Sequence, residues 1–339
     1  MILSKLISLI KSSRFEYFTC VFKFNLIEWR NLLFLIKDYI DWIKFKQKCQ
    51  LEENEWGIVC PASIGDTYYV AAFAEAFKKQ HPKDILVIIV IKRHYYIPTL
   101  FPSIDRIVVV DSIPVRALST FSSFEKGEPI YGHFRDVSFN NILGYKGIHL
   151  SDLHRAVLYL PMSTKLSLPC IPRKDKNKLI KDFFSSYNLV EKQTLILFPT
   201  ANSLKMLNWK IWTIIAEKAK QKGWIVCCNS INKDHCIKDT IILDIELEDL
   251  IPICEHAGWI IMQRSGLSDL ISTAKVKKTI LYNNDYNILW SSEEFAPYSK
   301  QFSTMIDAYG LKVLNGTDDI EEYEINDENY DEIIKIIFR

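Results

Sequence analysis

Three loops in this sequence place polar side chains directly between an apolar run and a helical pattern. The first is Ser63-Ile64-Gly65-Asp66, and Thr67 follows it. Gly65 lets the backbone approach a ligand closely, and Asp66 is expected at a helix N-terminus. A carboxylate there could take the proton of an attacking hydroxyl as a general base. Position alone favours the alternative that Asp66 only caps the helix.

The second loop, Thr200-Ala201-Asn202-Ser203-Leu204-Lys205, follows the apolar run that ends in Phe198. Hydroxyl and amide side chains with a lysine, just beyond a strand, suit a diphosphate whose charge must be offset as it leaves. Thr200, Ser203 and Lys205 are therefore candidate ligands of such a group. Taken alone, the loop favours the alternative of an ordinary polar segment with a solvated lysine.

The third loop is the most informative, because a glycine again joins a strand to a helix start. It reads Gln263-Arg264-Ser265-Gly266-Leu267-Ser268-Asp269-Leu270. Free amides at that helix N-terminus, with the serine hydroxyls, form an anion site of the kind that binds phosphates. Arg264 could add a fork of donors, or it could form a structural salt bridge with Asp269. After another strand end, Asn229 and Ser230 could bind nucleoside hydroxyls.

These loops can meet only if the strands before them end at the same edge of a sheet. The first half of the sequence contains such strands. Apolar runs predict strands over 57–62, 84–91 and 106–111, with a helix over 67–80 after the first loop. Alternation of strands and helices predicts a parallel, doubly wound sheet. The stretch 112–146 has no clear period, and its structure stays open.

The second half repeats this alternation after prolines at 161, 169 and 172, which predict a stiff linker. Strands are expected over 194–198, 224–228, 259–262 and 279–282, and helices over 209–222, 248–256 and 268–274. A last helix over 330–338 should pack back through its isoleucines. The fold class is therefore α/β, with domains over 53–165 and 175–325, a C-terminal helical segment over 326–339, and a ligand cleft between the strand ends.

Composition excludes several classes of protein. The 339 residues carry a formal net charge of +1, so no overall field predicts a nucleic-acid partner. The eight cysteines form no CxxC pair and no regular spacing, which argues against a zinc site or a disulfide framework. No paired carboxylate motif predicts a metal ion, so we expect neither metal nor cofactor. The start of the chain does not have the pattern of a secretory signal, and no run is long enough to span a bilayer.

The first 52 residues form a separate, basic segment. Residues Met1 to Gln50 contain nine Lys or Arg and only four Asp or Glu. Apolar residues recur at helical spacing at Leu26, Trp29, Leu33, Ile36, Ile40 and Ile43, with lysines around them. The favoured interpretation is a helix packed on its own domain or on another subunit. The alternative is an amphipathic element on an anionic membrane surface.

The order of these motifs resembles the heptosyltransferase-like family of glycosyltransferases, family nine. The family's GD turn and its basic-aromatic-proline phrase are similar to IGDTYYVAAFAEAFKKQHP. Its central histidine and proline-rich linker are similar to HLSDLHRAVLYLPMSTKLSLPCIP from His149 to Pro172. Its strand, polar loop, lysine and tryptophan are similar to LILFPTANSLKMLNW. Its D-[ST]-G-x-x-H-L-x-x-A phrase is similar to RSGLSDLISTA from Arg264 to Ala274. The resemblance covers 57–284.

The resemblance implies the GT-B fold, in which two Rossmann-like domains face each other across a cleft. It implies that Asp66 is the catalytic base, with Gly65 and Thr67 on the acceptor side. It further implies that Lys205 contacts phosphate and that the turn from Ser265 to Ser268, with Gly266 and Leu267, holds the donor diphosphate. The expected activity is transfer of a sugar from a nucleotide diphosphate to a saccharide or glycolipid in surface-glycan assembly, by an inverting, metal-independent mechanism in the cytoplasm.

Two positions depart from the family pattern: Arg264 stands where the family has aspartate, and Asp269 where it has histidine. A changed charge beside the donor predicts a changed sugar nucleotide. Two alternatives stay open, a GT-B-shaped binding or scaffold protein that has lost catalysis and a nucleotide-sugar epimerase of the same architecture.

Overall fold

The computed structural model describes residues 26–60, 63–132, 148–171, 176–201, 205–230, 236–283, 304–315 and 319–339. The first domain follows a long helix, α1 (Leu26–Cys49). Its elements are β1 (Glu55–Val59), α2 (Ile64–Ala72), α3 (Ala74–Gln80), β2 (Ile85–Ile91), α4 (Tyr96–Thr99), β3 (Arg106–Val110), α5 (Val115–Phe121), β4 (Pro129–Tyr131) and α6 (Leu150–Val157). A short 3₁₀ turn, Lys92–His94, joins β2 to α4.

The first sheet has the strand order β3-β2-β1-β4, and all its pairings are parallel. Strand β1 is buried along its whole length, and β2 is buried except at its two ends. Continuous apolar runs are what a strand covered on both faces requires. The predictions of β1, β2, β3 and the helices of 67–80 are therefore confirmed, and α5 and β4 fill part of the stretch whose structure was open.

The second domain contains α7 (Lys176–Ser186), β5 (Thr194–Phe198), α8 (Trp209–Gln221), β6 (Ile225–Asn229), β7 (Ile241–Leu243), α9 (Leu250–His256) and β8 (Trp259–Gln263). It continues with α10 (Gly266–Ile271), β9 (Lys277–Asn283), α11 (Met305–Tyr309), α12 (Lys312–Asn315), β10 (Ile320–Ile325) and α13 (Tyr330–Ile337). Its sheet has the order β10-β9-β8-β5-β6-β7 and is parallel throughout. Ile334 and Ile337 of α13 are buried in the core of this domain, as expected.

The edge strand β10 lies in the acidic part of the sequence, where no strand was predicted. Its glutamates receive hydrogen bonds from neighbouring backbone and side chains instead of facing water. Glu322 accepts from the Leu311 amide at 2.7 Å and from the Tyr282 hydroxyl. The acidic residues therefore anchor α11 and α12 to the sheet.

The helix α1 packs on its own domain, but only in part through the stripe that the sequence suggested. Trp42, Phe45 and Cys49 are buried against the first sheet and α5. Leu33 and Ile40, two members of the predicted stripe, are 64% and 37% exposed. The favoured interpretation, a helix packed on its own domain, is confirmed. Ile43 of the predicted stripe packs against this core, while Leu33 and Ile40 stay on the other side of the helix.

The two domains share one apolar core where α2 meets α10. Tyr68, Ala71 and Ala72 of α2 are buried together with Leu270 and Ile271 of α10. The first turns of these two helices contain the first and third loops of the sequence analysis. The fold therefore brings these two loops into direct contact. In the described part of the chain, no helix is long and apolar enough to cross a membrane.

Candidate functional site

Asp66 lies in the first turn of α2 and is held there by its own N-cap residue. The Ser63 hydroxyl accepts a hydrogen bond from the Asp66 amide at 3.2 Å. The same hydroxyl donates to Asp66 Oδ2. The Asp66 side chain keeps 17% of its surface exposed. The helix is thus capped by Ser63, and the Asp66 carboxylate stays accessible to a ligand.

A buried histidine from another helix contacts the second oxygen of this carboxylate. His154 Nε2, on α6, lies 3.2 Å from Asp66 Oδ1, and the His154 side chain is fully buried. Its ring stacks on Tyr69 with centroids 4.9 Å apart and planes 12° from parallel. His154 lies in the phrase that resembles the family, but its spacing alone predicts no role for it.

The turn at Gly266 contacts the turn at Gly65 so closely that neither position has room for a side chain. A Cβ at Gly266 would lie 2.5 Å from the Gly65 nitrogen, and a Cβ at Gly65 would lie 2.7 Å from Asp269 Oδ2. Gly65 was predicted to allow close approach of a ligand. In the structure, the close approach is instead between the backbones of two helix starts, one in each domain.

We expect Gly266→Ala to destabilise the contact between the domains by about 1–3 kcal/mol, because the added methyl group overpacks it. Amide hydrogen exchange of α2 and α10 should become faster, since these helices meet at that point. Gly223→Ala is the contrasting variant. Nothing lies within 4 Å of a Cβ there, but φ is +85°, so only local strain is expected. Unchanged exchange in α2 for Gly266→Ala would contradict this account.

Arg264 and Asp269 form a bidentate salt bridge behind the Gly266 turn. The distances are 2.7 Å from Arg264 Nη2 to Asp269 Oδ1 and 3.0 Å from Nη1 to Oδ2. Both side chains are nearly fully buried, at 4% and 1% exposure. Arg264 Nε also donates to the Tyr309 carbonyl at 2.9 Å. The salt-bridge alternative for Arg264 is thus the arrangement in the structure, and contact of either residue with a donor stays a prediction.

This ion pair reaches into the first domain through a tyrosine. The Tyr69 hydroxyl, on α2, donates to Asp269 Oδ1 at 3.0 Å. Burial raises the pKa of Asp269, and the nearby charge of Arg264 opposes this effect. Asp66 further raises the pKa of Asp269. A Cβ at Gly65 would lie 2.7 Å from Asp269 Oδ2, so the residue next to Asp66 contacts Asp269 across the domain boundary.

Tyrosines complete the surroundings of Asp66. Burial raises the pKa of Tyr131 to about 12, and the Asp66 carboxylate adds to that rise. Burial likewise raises the pKa of Tyr309 to about 12, with Arg264 lowering it and Asp66 raising it. Both phenols therefore stay protonated at neutral pH.

His149 caps α6 and ties it to the second domain. Its Nδ1 accepts from the Ser151 amide at 3.1 Å, so Nε2 carries the proton that it donates to the Gly310 carbonyl at 2.9 Å. Burial lowers the pKa of His149 to about 4, and the bond to Gly310 opposes that shift. The imidazole is therefore neutral in the folded protein.

This shift predicts a pH dependence of stability. A histidine in the unfolded chain titrates near 6.5, so the unfolded state binds the proton more readily. The stability contribution of neutral His149 is complete above about pH 6.5 and is lost as the pH falls from there toward 4. In urea titrations we expect His149→Gln to reduce the slope of unfolding free energy against pH by up to about 1.4 kcal/mol per unit in that window. Equal slopes for both proteins there would contradict the prediction, and slopes above pH 7 serve as the control.

The backbone of Lys205 is held at the end of β8, next to Arg264. The buried Gln263 side chain donates to the Lys205 carbonyl at 2.6 Å and accepts from the Leu207 amide at 3.0 Å. The Lys205 side chain is exposed. Lys205, the last residue of the second loop, therefore lies beside the start of the third loop, as the adjacent parallel strands β5 and β8 require.

The remaining predicted site residues are distributed around these loops. Ser265, Gly266 and Leu267 are half-buried, whereas Ser268 is buried and donates to the Ser265 carbonyl at 2.6 Å. Thr67 is buried and donates to the Ser63 carbonyl at 2.7 Å. Asn229 accepts from the Ile245 amide at 3.1 Å, and Ser230 is buried. Thr200 is half-buried, and Ser203 lies outside the described residues.

Among the residues that the structure describes, no three His, Cys, Asp or Glu side chains cluster as a metal ion would require. That the site binds no metal ion stays a prediction. Cys227 and Cys228 are fully buried in β6, where they act as small apolar residues.

Comparison with known proteins bears on the arrangement of these domains. No family model matches the sequence, and no curated protein is similar to it by sequence. The structure is similar to ADP-heptose lipopolysaccharide heptosyltransferase II of E. coli, with a TM-score of 0.53 and 13% identity, over 83% of this chain and 96% of the other. It is also similar to a glycosyl transferase family 9 protein of Veillonella parvula, with a TM-score of 0.53 and 15% identity, over 85% and 92%.

The chain has the GT-B fold of these glycosyltransferases. The fold that the resemblance implied is thereby confirmed in the three-dimensional structure. In this GT-B fold, β1 and β8 lead into the two helix starts that meet at the domain boundary. The sequence signals for His154, the partner of Asp66, and for Tyr69, the partner of Asp269, were weaker, because both lie in helices whose apolar faces predict only packing.

Proposed function

We propose that this protein is a glycosyltransferase that moves a sugar from a nucleotide-diphosphate donor to a saccharide hydroxyl. The observation that carries the proposal is the position of Asp66, a partly exposed carboxylate at a helix start whose Gly65 packs against the Gly266 turn of the opposite domain. The GT-B fold supports it, because solved proteins with this fold include heptosyltransferases.

In the proposed reaction, the acceptor oxygen attacks the anomeric carbon of the sugar and its proton passes to Asp66. The bond from that carbon to the diphosphate oxygen breaks, and the nucleoside diphosphate leaves with the electron pair. Attack opposite the leaving group inverts the anomeric centre. Ser63 and His154 hold the two oxygens of Asp66, so the base is oriented before the acceptor arrives.

Donor and acceptor would lie on opposite sides of this base. Lys205 and the turn from Ser265 to Ser268 would stabilise the negative charge that develops on the departing diphosphate. Gly65 and Thr67 would shape the acceptor side. Arg264 and Asp269 neutralise each other in the structure, so we assign them the role of positioning this turn, and the mechanism we propose needs no metal ion.

We propose that this reaction takes place in the cytoplasm and contributes to the assembly of lipopolysaccharide, capsule or a related surface glycan. The fold supports this assignment through a neighbour whose name specifies ADP-heptose and lipopolysaccharide. In the structure Arg264 and Asp269 bind each other, so neither presents an unpaired charge to the donor. A nucleotide sugar other than ADP-heptose therefore stays compatible with the site.

The test is a thermal-shift screen against ADP, UDP, GDP and CMP and their sugars, followed by transfer assays with the donor that binds. A ligand of the native state raises the melting temperature. We expect one nucleotide to stabilise the protein and its sugar to be transferred to a saccharide. Binding of no nucleotide would contradict the proposal, as would interconversion of donors without an acceptor, which is the reaction of an epimerase.

A further inference from the structure

The helix α1 has two apolar sides, and only one of them is used by its own domain. Trp42, Phe45 and Cys49 fill the core of the first domain. Leu33 and Ile40 are spaced by seven residues, which is nearly two helical turns, so they lie on one side. Ile40 and Trp42 are about 200° apart around the helix. The exposure of Leu33 and Ile40, at 64% and 37%, agrees with this placement.

Cations border this second apolar side. Lys37 and Lys44 are exposed and are again seven residues apart. They therefore lie beside Leu33 and Ile40 and form one stripe with the half-buried Ile36. The one acidic residue between Leu33 and Ile40 is Asp38, which is buried and paired with Arg116 at 2.7 Å. Asp41, which is half-buried, lies beside Lys37 and Lys44 at the edge of this side. The outward stripe of α1 thus combines apolar side chains with two lysines and keeps a net positive charge.

We infer that the outward face of α1, formed by Leu33, Ile36, Lys37, Ile40 and Lys44, docks on an anionic lipid surface. Apolar side chains in one stripe would enter the headgroup region, and the adjacent lysines would contact lipid phosphates. A second copy of the chain fits this face less well, because two such stripes would bring lysines against lysines. The sequence before the helix adds to the positive charge, with four Lys or Arg and one acidic residue over 1–25.

This inference rests on the surface of α1 and is independent of the proposed transfer reaction. It supplies a physical reason for a basic extension outside the two Rossmann-like domains. It also makes a glycolipid acceptor reachable, since the protein would then work at the surface where such an acceptor lies.

The test measures co-sedimentation of the full chain with vesicles of phosphatidylcholine alone or mixed with phosphatidylglycerol. We expect binding to the mixed vesicles that weakens at high salt. Lys37→Gln with Lys44→Gln should lower the partition coefficient about 30-fold, the effect of two lysines near an anionic surface. Leu33→Gln with Ile40→Gln should also lower it. Transfer to a water-soluble acceptor should be unchanged, so failure here is distinct from failure of the proposed function.

Matched controls change exposed residues of the same type elsewhere. Lys178→Gln with Lys181→Gln on α7 removes the same charge, and Met162→Gln with Leu168→Gln removes apolar side chains that are 58% and 67% exposed. Both controls should bind mixed vesicles like the native protein. Full binding by the α1 variants would overturn the inference. So would a change in their molar mass in lipid-free buffer, since that would assign the face to a second copy.

Discussion

Asp66→Asn is expected to lower the rate of sugar transfer by about 10²–10⁴-fold, the usual contribution of a general base. The amide has the shape of the carboxylate but cannot take the acceptor proton. Ser63 and His154 can still contact the side-chain oxygen and nitrogen, so the fold should be retained. The measurement is the transfer rate at saturating donor and acceptor, with the donor identified by the thermal-shift screen.

Two further measurements separate a lost base from a damaged site. Donor binding, followed as the shift in melting temperature, should be close to that of the native protein. Asp182→Asn, an exposed carboxylate on α7, is the matched control and should leave the rate unchanged. Turnover of Asp66→Asn at the native rate would remove Asp66 from the proposed mechanism.

Breaking the Arg264–Asp269 pair should have the largest effect on stability. Asp269→Asn leaves the Arg264 guanidinium buried without its counter-charge, so we expect a loss of about 3–5 kcal/mol in the free energy of unfolding. Burial raises the pKa of Asp269, because a buried site disfavours the charged carboxylate. Urea titration at neutral pH measures the loss.

The double variant Arg264→Met with Asp269→Leu decides whether the charge or the packing matters. Buried ion pairs can often be replaced by apolar residues of similar volume at little cost. We therefore expect the double variant to be more stable than Asp269→Asn. Because Tyr69 would lose its acceptor, the cost should not vanish. If the double variant is less stable than Asp269→Asn, the loss of stability in Asp269→Asn does not come from the unpaired charge of Arg264.

The sequence alone could predict the sheets because parallel strands covered on both faces need continuous apolar runs. The runs at β2 and β5 therefore had one interpretation, and the loops that follow such strands were expected to meet at one edge. Strand β10 could not be predicted in this way. Its glutamates resemble a solvated acidic segment until tertiary contacts supply the amides and the hydroxyl that they accept from.

The helix α1 shows the same limit for helices. Periodicity identified an apolar stripe through Leu33 and Ile40, yet the domain is packed against Trp42 and Phe45. A period of 3.6 residues indicates which side chains share a face. It carries no information about which of two apolar faces finds a partner, because that depends on the shape of a surface formed by distant residues.

For the site, the sequence by itself determined the chemistry that is present: a carboxylate after the first strand, a lysine after β5 and a serine-glycine turn after β8. Only the tertiary structure decided how these groups are used. It pairs Arg264 with Asp269, links them to Tyr69, and places His154 against Asp66. The reason is that partners in such a network are chosen by burial and distance between residues far apart in the chain, which local spacing does not encode.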